Sequence, residues 1–88
     1  MLEISGGPGT GKTKKLIEAA YETGAIVVCS NPKGMLNKAN SYGIPNVSFI
    51  SYEDFYQSPD PSKKYMIDEI GNLYENFDLI TGYTITKE

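Results

Sequence analysis

The residues best suited to chemistry lie near the start of the chain, in Gly6-Gly7-Pro8-Gly9-Thr10-Gly11-Lys12-Thr13. Anionic phosphates need many donors at close range. Glycines let the backbone wrap tightly, so that consecutive N–H groups point inward. A helix that follows such a loop offers its positive end to the same phosphates. In this arrangement Gly7, Pro8, Gly9, Thr10, Gly11, Lys12, Thr13 and Lys14 form a nucleotide-binding set. Lys12 reaches the β- and γ-phosphates, and Thr13 binds Mg²⁺ through its hydroxyl. With glycine near 7% of average composition, such a string arises by chance in well under about 1% of chains this long.

A second group follows at Tyr65-Met66-Ile67-Asp68-Glu69. A strand that ends in two acids can place one carboxylate, Asp68, on the water shell of Mg²⁺, while the next, Glu69, orients or deprotonates an attacking water. Paired acids at a strand end are usually only solvated. Here the phosphate loop makes them candidates. Thr81 in "LITG" is a third candidate, a γ-phosphate sensor, because a polar residue ending the strand beside the loop strand can face that phosphate. A plain Thr-Gly turn is the alternative. Ser30 and Asn31 belong to the carboxyl edge of the sheet, where open α/β folds bind ligands, and Asn31 reads equally well as a helix cap.

These residues need elements to hold them. Residues 1–5 alternate well enough for a strand that runs into the glycines. "KTKKLIEAAYETG" puts Leu16, Ile17, Ala20 and Tyr21 on one helical face, and Gly24 ends the helix. Residues 25–30 form an apolar, β-branched run, typical of a buried parallel strand. Asn31-Pro32 starts a second helix, lined by Leu36, Ala39 and Tyr42 and ended by Gly43. Residues 46–51 read as a third strand. Ser51 and Asp54 make a capping-box-like start for a short helix over 52–57. "SPDPS" is a loop, and residues 63–69 read as a fourth strand. A short helix around Asn72 to Phe77 leads to a fifth strand over 78–86. The alternation predicts an α/β fold with a five-stranded parallel sheet and helices on its faces, a three-layer α/β/α sandwich.

The chain has 88 residues, which points to a single domain over 1–88 with a thin core. Its net charge is −3. That argues against a protein whose main task is to coat DNA, since phosphate binding needs a basic face. No apolar run exceeds five residues, and the N-terminus lacks a signal-peptide pattern, so a cytoplasmic chain without membrane association is expected. The single cysteine, Cys29, reads as a buried free thiol in a reducing compartment. The absence of His excludes His-based metal sites and bases. There are eight Lys and no Arg. Seven tyrosines could form a stacking surface for single strands, but covering a thin core or an interface is the commoner role. Lys14-Lys15 and Lys63-Lys64 read as solvated charge.

"GGPGTGKT" with "YMIDE" resembles the Walker A and Walker B pair of P-loop NTPases of the RecA-like, helicase-type branch. "VVCSNPKGMLNKANSYG" resembles the second strand and motif Ia region of helicases, and "VSFISYEDFY" a strand of superfamily 2 members. "IDEIGNLYENFDLITGYT" is similar to the stretch from their Asp-Glu to their Thr-Gly-Thr motif. The likeness covers nearly the whole chain as a stripped-down first motor domain with a minimal RecA-like P-loop fold. It implies ATP and Mg²⁺ held by Gly9, Gly11, Lys12, Thr13 and Asp68, with Glu69 as catalytic base. It also implies a fifth strand inserted between the first and the fourth.

The chain departs from the family in having one motor domain and no arginine to serve as a finger, which contributes on the order of 10³–10⁵ in rate. The expected function is therefore a weak ATPase that depends on a protein partner or oligomer and serves nucleic-acid metabolism indirectly. Its small size suggests a phage or mobile-element product. Two alternatives stand beside it. One is a non-catalytic, nucleotide-holding interaction or inhibitor module. The other is a small-molecule kinase, whose loop is similar, although such enzymes clamp their substrates with arginines.

Overall fold

Leu2–Gly6 (β1) runs straight into the glycine loop, and Lys12–Thr23 (α1) follows it. The computed structural model describes residues 1–72 and 77–86. Next come Ile26–Cys29 (β2), Pro32–Ser41 (α2), Phe49–Ser51 (β3), Tyr52–Gln57 (α3), Tyr65–Ile67 (β4) and Ile80–Thr86 (β5). Single 3₁₀ turns lie at Ile70–Asn72 and Phe77–Leu79. The helix expected around Asn72 to Phe77 falls on 73–76, which lie outside the described residues.

Local chemistry explains the helix boundaries. Gly24 closes α1, its N–H donating to the Ala20 carbonyl at 2.9 Å. The Asn31 side chain accepts from the Gly34 N–H at 3.1 Å, and Pro32 occupies the first turn of α2, where its missing donor costs nothing. Ser51 accepts from the Asp54 N–H at 3.1 Å, and Glu53 and Asp54 place negative charge on the positive end of α3.

The sheet order is β1-β5-β4-β2-β3, and every pairing is parallel. The five strands and the helices on both faces make the three-layer α/β fold that the alternation predicts, consistent with a minimal RecA-like sheet. The last strand does insert between the first and the fourth.

Side chains of β2 alternate between the two faces, and both are covered. Val27 and Cys29 pack with Leu16, Ile17 and Ala20 of α1 and Met35 and Ala39 of α2. Val28 packs with Phe55 of α3 and with Tyr65 and Ile67 of β4. Burial on both sides is why the strand reads as a continuous apolar run. Among the described residues no helix is long and apolar enough to cross a membrane.

Four details differ from the sequence expectation. Tyr21 is 53% exposed, because it lies one helical step, about 100°, past Ala20 and off the buried stripe. Leu36 and Tyr42 are also exposed; α2 buries Ala39 as expected, with Met35, its i, i+4 partner, in place of the other two. β3 starts at Phe49 rather than 46, since Asn46 turns through a left-handed φ of 64°. β4 is confined to Tyr65–Ile67, with the two lysines before it and the two acids after it.

Phe55 is fully buried, with its ring 4.6 Å from that of Tyr65. It is the largest of the fully buried side chains among the described residues. Replacing a buried Phe by Ala typically costs about 3–5 kcal/mol. Phe55→Ala should lower the urea-derived unfolding free energy by that amount, and a loss below about 1 kcal/mol would contradict this packing.

Candidate functional site

The loop between β1 and α1 closes on one carbonyl. The Thr10 hydroxyl donates to the Gly7 carbonyl at 2.8 Å, and the Lys12 ammonium donates to the same oxygen at 2.9 Å. Gly6 allows that curl, since a Cβ there would stand 2.6 Å from Thr10 Oγ1. Gly11 joins loop to helix at a φ of 77°, which favours glycine. Gly11 also leaves α1 without a side-chain cap, whereas α2 and α3 are capped by Asn31 and Ser51. The first N–H groups of α1 are thus the uncapped ones, at the positive end of a 12-residue helix.

Lys12 and Thr13 are half-buried in the first turn of α1, while Pro8, Gly9 and Thr10 are exposed. Lys14 directs its ammonium over the Tyr42 ring, 5.6 Å from the centroid.

The two acids follow β4 directly. The Asp68 N–H extends the ladder to the Val28 carbonyl at 2.9 Å. Glu69 then adopts a φ of 62°, a conformation that costs a non-glycine residue on the order of 1 kcal/mol or more and persists only where its surroundings impose it. β5 imposes it. Thr84, fully buried, donates to Asp68 Oδ1 at 2.9 Å and accepts from the Glu69 N–H at 2.8 Å. The Thr86 hydroxyl donates to Glu69 Oε1 at 2.6 Å.

The same strand reaches the loop. Thr84 is in register with Ile4, and Thr86 with Gly6, the first residue of the loop. Parallel pairing therefore brings Glu69, through Thr86, beside the place where the glycines begin.

Thr81 is not part of this group, which corrects the sensor assignment. It lies at the start of β5, at the opposite end from the loop. The register shift there, with Tyr65 on Ile80 but Met66 on Gly82, makes it the extra residue of a bulge. Its hydroxyl makes only a long contact, 3.4 Å, to the Tyr65 carbonyl. The fifth strand runs to Thr86 as expected, but Thr81 stands near its start rather than at its carboxyl end. Thr84 and Thr86, nearer the carboxyl end of β5, are the threonines that meet the acids. The signal for them was the spacing of two in "TIT", which puts both hydroxyls on one face.

Ser30 and Asn31 do lie at the carboxyl edge, beside a cleft of about 160 Å³ shared with Lys38 and Asp68. The Asn31 carboxamide oxygen is nonetheless used as the α2 cap. Among the described tyrosines, Tyr65 is buried, Tyr21, Tyr42 and Tyr56 are exposed, and the Tyr83 phenol donates to Glu3 at 2.5 Å.

Two further groups border the acids. Tyr52, first residue of α3, donates its phenol to the main-chain carbonyl of Asp68. Burial, with the Asp68 charge next in importance, pushes that phenol up to about 12. Cys29 is buried, and this pushes its thiol from 9.0 to about 11, against the lowering effect of the Asn31 N–H. Comparison with protein-family models, with curated proteins and with solved structures returned no match to this chain.

Both shifts favour the protonated form in the folded state. Each group therefore adds stability that is complete below its unfolded value, near 9 for the thiol and 10 for the phenol, and is lost as pH rises through about 11 and 12. The urea midpoint should fall between pH 9 and 12, and Cys29→Ala should flatten the lower part of that fall. A midpoint that rises with pH over this range would contradict the burial of both groups.

Proposed function

We propose that this chain binds ATP with Mg²⁺ in the loop of residues 6–13 and hydrolyses it slowly, as a minimal relative of the RecA-like, helicase-type P-loop NTPases. One observation carries the proposal. Thr84 and Thr86 of β5 hold Asp68 and Glu69 while pairing with the strand that feeds the glycine loop.

The residues fit the cofactor. The Thr13 hydroxyl and the Asp68 carboxylate are hard oxygen donors of the kind Mg²⁺ takes, and that ion normally fills its remaining positions with phosphate oxygens and water. When bound, it supplies neutralising charge to the phosphate oxygens. Lys12 donates to the Gly7 carbonyl, a contact it would exchange for β- and γ-phosphate oxygens. The uncapped N–H groups of α1 would face the same phosphates. Glu69, with one oxygen held by Thr86, keeps the other for orienting or deprotonating water.

Lysine cannot reproduce the rigid, forked contact that an arginine finger makes with a phosphoryl group in flight. A protein partner that donates an arginine would complete the site, and nucleic-acid metabolism is the setting that the family resemblance supports. The lack of arginine equally favours a second reading, a module that holds nucleotide without turning it over and acts through a protein interface.

Pure protein should release phosphate from ATP at on the order of 10⁻³ per second or below, the range of unassisted P-loop sites. Lys12→Ala should abolish both this release and the rise in melting temperature with nucleotide. Glu69→Gln should keep the thermal shift and lose turnover. Steady-state phosphate release checks the turnover of all three proteins, and thermal melting with and without nucleotide checks their binding. Turnover at about 1–100 per second by the isolated chain, the range of assisted motors, would contradict the role given to the missing arginine. A thermal shift with no release at all favours the holding module.

A further inference from the structure

Asp68 and Glu69 are joined by a peptide unit that is held at both ends. Its N–H donates to Thr84 Oγ1 at 2.8 Å, and its carbonyl accepts the phenol of Tyr52. The second contact fills a gap in the sheet. Ile26 donates to the Lys64 carbonyl and Asp68 to the Val28 carbonyl, so the next rung of the β2–β4 ladder would take the Ser30 N–H to the Asp68 carbonyl. β2 ends at Cys29 instead, and the chain turns away into α2. A carbonyl at this depth needs a partner.

Tyr52 is placed to supply one. Its neighbour Ser51 pairs with Cys29 at the same edge of the sheet and caps α3, and its ring packs against the cluster of Val28, Phe55 and Tyr65.

We infer that Tyr52 is a positioning residue for the two acids: its phenol holds the carbonyl half of the Asp68–Glu69 peptide, Thr84 holds the N–H half, and together they prevent that peptide from flipping. A flip would carry Glu69 away from its φ of 62° and withdraw its carboxylate from Thr86. Tyr52 touches neither nucleotide nor water in this scheme; it acts through the backbone. The catalytic consequence rests on the ATPase reading above, but the structural consequence does not.

The test is Tyr52→Phe, which keeps the ring and removes only the hydroxyl. In amide hydrogen exchange, the Glu69 N–H should exchange at least tenfold faster than in wild type. The Asp68 N–H, held by the sheet ladder, should change less than twofold. An unchanged Glu69 rate, or equal acceleration of both amides, would overturn the inference.

In phosphate release, kcat should fall about tenfold with nucleotide affinity within twofold of wild type. The change should add nothing in a Glu69→Gln background, where the carboxylate it presents is already gone. A loss that multiplies with Glu69→Gln, or that shows as weaker binding, would also overturn it. If wild type itself releases no phosphate, the ATPase reading fails and the exchange experiment still decides the role of Tyr52. If Tyr52→Phe does not fold, wild type decides. Its Tyr52 hydroxyl proton should exchange slowly enough to be seen by NMR, and a freely exchanging one would count against the inference.

Discussion

The hydroxyl of Thr84 occupies the point on which the site depends. Fully buried, it accepts from the Glu69 N–H and donates to the Asp68 carboxylate, while its own strand pairs with the strand that enters the glycine loop. A hydroxyl is the smallest group that can serve both partners at once. A valine of the same shape would leave a carboxylate oxygen and a main-chain N–H short of a partner, each costing about 1–3 kcal/mol. The cost would fall on the two groups whose placement matters. The parallel sheet does the rest. All five strands end at one edge, so the loop after β1, the acids after β4 and the threonines of β5 converge without any long connection.

That convergence also explains how so short a chain can hold a composed site. Small domains bury a modest fraction of their surface and have little stability in reserve. Here the core is spent on two faces of a small sheet, Leu16, Ile17 and Met35 on one side and Phe55, Tyr65 and Ile67 on the other. Among the described residues two non-glycine positions adopt a left-handed φ, Asn46 in the turn before β3 and Glu69 beside the site. No buried side-chain nitrogen or oxygen among the described residues lacks a hydrogen-bond partner. The left-handed turn at Glu69 is thus held by a satisfied network rather than by slack packing.

The glycine loop, the acids and the βα alternation were legible because each rests on local chemistry. Glycine spacing, helix caps at Asn31 and Ser51 and the apolar run of β2 need no knowledge of distant neighbours. Thr81 was misplaced because which end of the fifth strand meets the loop depends on how the strand pairs, although its extent to residue 86 was expected. Pairing with β1 carries β5 on to Thr86, and a bulge at Thr81 resets its register on β4. Tyr52 was invisible for a related reason. Its role depends on where β2 stops and on a carbonyl sixteen residues further along the chain. Leu36 and Tyr42 were assigned inward with Ala39 by periodicity alone, but Met35 joins Ala39 against the sheet, and one step around a helix is enough to move a residue from core to solvent.

Whether loop and acids form a single site is measured most directly by calorimetric titration with ATP, with Mg²⁺ and with chelator, on wild type and Asp68→Asn. Wild type should bind one nucleotide per chain, more tightly with Mg²⁺ than without. Asp68→Asn should lose the Mg²⁺-dependent part and keep the remainder, since the loop and Lys12 are untouched. A folded wild-type chain that takes up no nucleotide at millimolar concentration, or an Asp68→Asn chain with an unaltered Mg²⁺ effect, would contradict a shared site.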